Sequence, residues 1–252
     1  MGKLIFITGA TAGIGRACAE LFARHGHNLI LTGRRNERLE KIKGELEKKH
    51  GIKVMTGAFD IRDRKAVARF VETLPPELNI DILVNNAGLA AGLDLFQDAS
   101  LDDWEQMIDT NMKGLLFISR AIVPRMIFAG HGHVINIGSI AGKEVYPKGN
   151  VYCGTKHAVD ALTKAMRIDL LEKGIKVTQI APGLVETEFS EVRFKGDEQR
   201  AEKVYQGYQP LMAADVAGAV YYVTTLPAHV NINDLVIMPT AQANATTVFK
   251  QH

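Results

Sequence analysis

Lys3-Leu4-Ile5-Phe6-Ile7-Thr8-Gly9-Ala10-Thr11-Ala12-Gly13-Ile14-Gly15 decides the fold: an apolar run, a glycine turn, then the start of a helical pattern. Gly9, Gly13 and Gly15 permit a tight turn and a close backbone approach to a pyrophosphate at a helix N-terminus, with Thr11 and Ile14 between them. The spacing is G-x-x-x-G-x-G, not the commoner G-x-G-x-x-G. Its place between a strand and a helix favours nucleotide binding over a purely structural turn.

Outward from this unit, short Val/Ile/Leu runs alternate with longer helical spacing. Residues 3–8, 28–32, 53–59, 80–85, 132–138, 176–181 and 234–238 read as strands, continuous in apolar character as parallel strands buried on both faces are. Helical spacing fills 14–26, 35–50, 63–74, 101–129, 151–173 and 214–226, with Gly26, Gly51, Gly130 and Gly174 as stops and Asp215 or Ala214 as the last opening. This alternation predicts one doubly wound α/β domain of the Rossmann kind over residues 1–252, with about seven parallel strands. Residues 185–211 are polar and poorly periodic, an insertion placed where such folds carry ligand contacts and lids.

With 252 residues and 46% apolar content the chain can bury a sheet under helices. Thirty Lys plus Arg against 28 Asp plus Glu leave too small a surplus to imply nucleic acid. Cys18 and Cys153 lack metal-ligand spacing and read as packing residues in a reducing compartment. The N-terminus carries no signal-peptide pattern, and the apolar stretch 114–130 is broken by Arg120, Pro124 and Arg125. A cytoplasmic protein without a membrane span is expected.

The end of the second strand selects the nucleotide. An acidic residue there would bind a ribose 2′-hydroxyl; this chain has Thr32-Gly33-Arg34-Arg35. The missing carboxylate removes repulsion from a 2′-phosphate, and Arg34 offers a planar donor fork, so NADP(H) is expected. Arg35 shares that role or begins the helix, and Arg16 is a weaker candidate. Asp60 and Ile61 follow strand three, placed for the adenine edge. Asn86, Ala87 and Gly88 follow strand four, placed for the ribose.

Tyr152 and Lys156 lie four residues apart, on one face of a helix. A phenol is a poor base at neutral pH unless a fixed cation favours its anion, and Lys156 is the expected cation. The pair is common on inert helices, so context decides.

That context resembles the short-chain dehydrogenase/reductase family over essentially the whole chain. The resemblance rests on the glycine motif at 8–15, Asn-Asn-Ala-Gly at 85–88, Asn111, Ser139, Tyr152, Lys156 and Pro182-Gly183. It implies Tyr152 as general acid/base, Ser139 holding the substrate oxygen and Lys156 on the nicotinamide ribose while lowering the Tyr152 pKa. Asn111 is implied in a water relay, with Pro182, Gly183 and Val185 bordering the nicotinamide and Thr187 near its carboxamide. It also implies a homotetramer formed through the helices at 101–129 and 151–173. The stretches 183–197 and 229–232 resemble the branch of NADP-dependent 3-hydroxy acid dehydrogenases, serine 3-dehydrogenases and sulfoacetaldehyde reductases. A small 3-hydroxy acid or its semialdehyde is therefore the expected substrate, with sulfoacetaldehyde reduction to isethionate as the alternative. Arg193 is the expected partner of either anion. A non-catalytic NADP(H) sensor on the same fold would need no Ser139, Tyr152 and Lys156 together. Trp104 reads as helix packing, and a metal site at His131 and His133 is disfavoured.

Overall fold

The computed structural model describes residues 2–251. In chain order it contains β1 (Leu4–Thr8), α1 (Gly13–Arg24), β2 (Asn28–Gly33), α2 (Asn36–His50), β3 (Val54–Ala58), α3 (Arg64–Thr73) and β4 (Ile82–Asn85). Then come α4 (Leu101–Ile108), α5 (Leu115–Ala129), β5 (Gly132–Ile137), α6 (Asn150–Asp169) and β6 (Ile175–Pro182). The remaining elements are β7 (Val185–Glu186), α7 (Phe189–Arg193), α8 (Glu198–Tyr205), β8 (Leu211–Met212), α9 (Ala213–Thr225) and β9 (Asp234–Ile237).

Seven strands form one sheet in the order β3-β2-β1-β4-β5-β6-β9, and every pairing is parallel. Alternation along β1 explains its unbroken apolar run. Ile5 and Ile7 pack with Phe22 of α1, Leu39 of α2 and Val220 of α9, while Phe6 packs on the opposite face with Val67 of α3 and Ile122 of α5. The chain reverses its winding between β1 and β4. That junction opens the crevice at the carboxyl ends of the strands where doubly wound sheets take ligands.

Every predicted strand is present to within two residues, and the four predicted helix-stop glycines have φ of 66–75°. Three readings need correction. The helix expected over 101–129 is interrupted by a π-helical turn at Asp109–Gly114. The helix expected over 151–173 ends at Asp169, and Leu171–Lys173 is a separate 3-10 turn. Asp215 does not open α9; it sits one turn in, and its carboxylate accepts from the Met212 N–H at 2.7 Å. The irregular stretch 185–211 is itself structured, with β7 pairing with β8 around α7 and α8. Among the described residues no helix is long and apolar enough to cross a membrane.

Candidate active site

A cleft of about 550 Å³ runs along the carboxyl edge of the sheet, from Arg34 at one end to Arg193 at the other. Its floor begins with the glycine turn. Gly9 has φ +66°, and a Cβ there would stand 2.9 Å from Ala87 Cα, so only glycine lets the turn meet the loop after β4. A Cβ on Gly15 would lie 2.4 Å from the Gly9 carbonyl oxygen. Gly15 therefore serves the packing of α1 on the turn, and it does not line the cleft as expected; Gly9, Thr11, Gly13 and Ile14 do. Asn86 fastens the two halves, its Nδ2 donating to the Thr8 carbonyl at 2.9 Å, while Thr8 Oγ1 accepts from the N–H groups of Asn86 and Ala87.

The residues at this end suit an anionic dinucleotide. Ala12 precedes α1 without a side-chain cap, which leaves the first N–H groups of the helix open toward the cleft. Arg34 lines the cleft, exposed, with no hydrogen bond or ion pair among the described residues. Arg35 is committed: Nε and NH2 donate to Thr11 Oγ1 at 3.1 and 2.7 Å, and NH1 pairs with Glu188 at 3.0 Å. Arg16 does not line the cleft; it pairs with Glu20 and Glu45 on the surface. Asp60 lines the cleft while its carboxylate holds Arg62 at 2.7 Å; hydrogen bonding from Arg62 keeps it below the usual carboxylate range. Ile61, Ala87, Gly88, Pro182, Gly183, Val185 and Thr187 also line the wall.

At the other end α6 presents Tyr152 and Lys156 side by side, 8% and 7% exposed. Ser139, just past β5, is also buried, its hydroxyl accepting from the Ala141 N–H at 3.1 Å. Burial pushes the Tyr152 phenol well above its ordinary value, and the neighbouring Tyr146 adds to the rise. Hydrogen bonding with Ser139 and the charge of Arg193 pull the other way. The expected depression by Lys156 is not found. Its Nζ stands 6.0 Å from the Tyr152 ring centroid and donates to the Ile137 carbonyl at 3.0 Å, and burial lowers its own pKa to about 8.

Asn111 is not brought to the cleft. The π turn aims it inward, where Oδ1 accepts from Leu89 N–H at 2.8 Å and Nδ2 donates to Leu89 O at 2.8 Å and Thr155 Oγ1 at 3.1 Å. Its amide fixes the cleft wall through Leu89, and its Oδ1 and the Lys156 Nζ both come close to Gly88.

Arg193 does reach the cleft, its guanidinium carbon 5.5 Å from the Tyr146 ring and 5.6 Å from the Tyr152 ring. Several lining residues were not foreseen: Tyr146, Glu188, Phe189, which packs edge-on to Tyr152 at 5.7 Å, and Gln242, which accepts from the Leu184 N–H at 2.8 Å. Glu188 and Phe189 fall within the stretch 183–197 that carries the branch resemblance, but neither their spacing nor that of Tyr146 and Gln242 marks them as lining; tertiary folding brings them here. Trp104 packs against Phe96, and the two histidines are occupied, His131 by Asp81 and His133 by Thr178.

The short chain dehydrogenase family model matches residues 3–198. The NADP-dependent 3-hydroxy acid dehydrogenase YdfG of Shigella flexneri is 50% identical over 244 residues, covering 96% of this chain and 97% of its own length. Sulfoacetaldehyde reductase 2 of Chromohalobacter salexigens is 46% identical over 245 residues, covering 96% of each chain. Among solved structures, the closed form of serine dehydrogenase complexed with NADP+ superposes with a TM-score of 0.91 at 48% identity, over 99% of this chain and 100% of that one.

Proposed function

The chain belongs to the short-chain dehydrogenase family, and from that premise we propose that it interconverts a small anionic 3-hydroxy acid and its semialdehyde. It is an NADP-dependent oxidoreductase acting on CH–OH and C=O groups. The open helix terminus and Arg34 would hold the phosphates, and Lys156 the nicotinamide ribose. When bound, the dinucleotide supplies or accepts the hydride.

The protein's share is orientation and the proton. Ser139 hydrogen-bonds the carbonyl oxygen and presents it to Tyr152, whose hydroxyl gives that oxygen its proton in reduction and takes it back in oxidation. A phenol held above its ordinary pKa stays protonated at neutral pH, which suits it to donate. Reduction takes up a proton and oxidation releases one, so hydroxy acid oxidation should rise toward alkaline pH. Residues 185–211 act as the lid of this single domain.

One observation carries the substrate class: Arg193 stands over the ring of Tyr152, on a lid helix, inside an otherwise largely apolar pocket. A cation there pairs with an acid group one or two carbons from the reacting carbonyl. Carboxylate and sulfonate both fit, and relatives named for each are similar to this chain.

The test is a kinetic screen with NADPH of malonic semialdehyde, sulfoacetaldehyde and a neutral aldehyde of similar size, with 3-hydroxypropionate and serine in reverse. Preference for malonic semialdehyde is expected. Arg193→Ala should raise KM for the anionic aldehydes at least tenfold, about the worth of one charge-assisted contact, and spare the neutral one. Tyr152→Phe should lose nearly all turnover and keep NADPH binding. Equal effects of Arg193→Ala on all three aldehydes, or an active Tyr152→Phe, would sink the reading.

A further inference from the structure

Glu188 stands between the two ends of the cleft, immediately before α7. Its Oε2 accepts from Arg35 NH1 at 3.0 Å and its Oε1 from Arg38 NH1 at 2.8 Å. Burial by itself would raise its pKa, but the hydrogen bonds from both arginines hold it below the ordinary carboxylate value, so it is charged at neutral pH. Arg35 uses two edges at once: NH1 on Glu188, and Nε with NH2 on Thr11 Oγ1, a hydroxyl that lines the cleft.

Past Glu188 the chain runs to the other end of the cleft. Phe189, the next residue, packs edge-on to the Tyr152 ring. Arg193, at the end of the same five-residue helix, lies over the rings of Tyr146 and Tyr152. That far end is pinned as well. Arg193 Nε donates to the Gly92 carbonyl at 3.1 Å, the Gly92 N–H donates to the Arg193 carbonyl at 3.0 Å, and Lys195 pairs with Asp103 at 2.9 Å. A short helix held at both ends transmits the position of one end to the other.

We infer that Glu188 is a positioning residue that couples the 2′-phosphate end of the cleft to the substrate end through Arg35 and α7. The inference rests on the NADP(H) reading of the same site. A guanidinium presents separate donor edges and serves two anions together. A 2′-phosphate on the Nε/NH2 edge replaces the weak acceptor Thr11, fixes the guanidinium plane and keeps NH1 aimed at Glu188. Glu188 then holds α7 down, with Phe189 against Tyr152 and Arg193 over the pocket. A 2′-hydroxyl lacks the charge to do this. Cofactor identity is thereby read at the substrate pocket as a coupling free energy, and linkage makes the effect reciprocal.

The test compares aldehyde KM with saturating NADPH and with saturating NADH, in wild type and in Glu188→Gln. Glutamine keeps the shape and removes the charge, and the pair with Arg35 is 43% and 41% exposed, so the fold is not at risk. In wild type the aldehyde KM should be roughly three- to fivefold lower with NADPH, the scale that exposed ion pairs carry. In Glu188→Gln the two KM values should converge, with a smaller shift in the same sense for Arg38→Gln, whose residue does not line the cleft. An unchanged NADPH-to-NADH ratio of KM in Glu188→Gln would overturn the inference. So would a wild-type KM that is higher with NADPH, the mark of repulsion between the phosphate and Glu188. Failure of the underlying reading looks different: wild type would bind NADH as tightly as NADPH, and the coupling would fall with it.

Discussion

Lys156 holds an ammonium in a place where a charge is expensive. The group is 7% exposed and has one protein acceptor, the Ile137 carbonyl. Burial lowers its pKa from 10.5 to about 8. The unfolded chain therefore binds this proton more tightly than the folded one between those two values. Folding stability rises with pH across that window: the penalty is complete below pH 8 and vanishes above pH 10.5. Its size is on the order of 3 kcal/mol. Lys156→Met should abolish turnover and yet stabilise the protein by about 1–3 kcal/mol at pH 7, the lost Ile137 hydrogen bond offsetting part of the gain. By pH 10 the gain should be nearly gone. Urea denaturation of both proteins at pH 7, 8.5 and 10 measures this, and a pH-independent difference would show that the charge is not buried at a cost. The residue type at 156 was legible in the sequence. Its electrostatics were not, because the spacing of Tyr152 and Lys156 cannot report how deeply the fold buries the ammonium.

At the level of elements, what the sequence disclosed depends on what each element packs against. The seven strands were readable because helices cover both faces, which enforces uninterrupted apolar runs. The π turn was not readable. Apolar spacing on both sides reads as one helix, and a single extra residue per turn leaves no compositional trace. Its consequence is specific: Asn111 turns inward and satisfies both backbone groups of Leu89. The segment 185–211 hid its small helices for the opposite reason, since α8 has no buried apolar stripe among its described side chains. Asn111→Ala should strand the Leu89 N–H and C=O, each worth about 1–3 kcal/mol when buried without a partner. Thermal unfolding should drop by roughly 5–15 °C on the usual scaling for a chain this long. Because Leu89 lines the cleft, aldehyde KM should also rise. An unchanged melting temperature would mean that the loop after β4 finds other partners.

Across the whole molecule the dinucleotide cleft touches both halves of the doubly wound sheet: the turn after β1 and the Arg34 corner on one side, the ends of β4, β5 and β6 on the other. A ligand bridging these halves binds the native state and not the unfolded chain, so its affinity appears as global stability. NADP+ at a hundredfold excess over its Kd should add about 2.7 kcal/mol, or roughly 5–10 °C for a domain of this size. NAD+ at the same concentration lacks the contact with Arg34. With a Kd weaker by about ten- to a hundredfold, it should add only about 0.4–1.4 kcal/mol, or roughly 1–5 °C. Arg34→Ala should bring the NADP+ shift part of the way down toward the NAD+ value, Arg35 keeping its own contact with the 2′-phosphate, and leave the NAD+ shift where it was. High salt should narrow the wild-type difference, because Arg34 is exposed and its attraction for a phosphate is screened. Arg35→Ala provides the contrast: by also releasing Glu188 it should lower the melting temperature of the free protein slightly, where Arg34→Ala should not. Differential scanning fluorimetry of the three proteins with each nucleotide reads all of these outcomes. Equal NADP+ and NAD+ shifts in wild type would contradict the assignment of Arg34 to the 2′-phosphate.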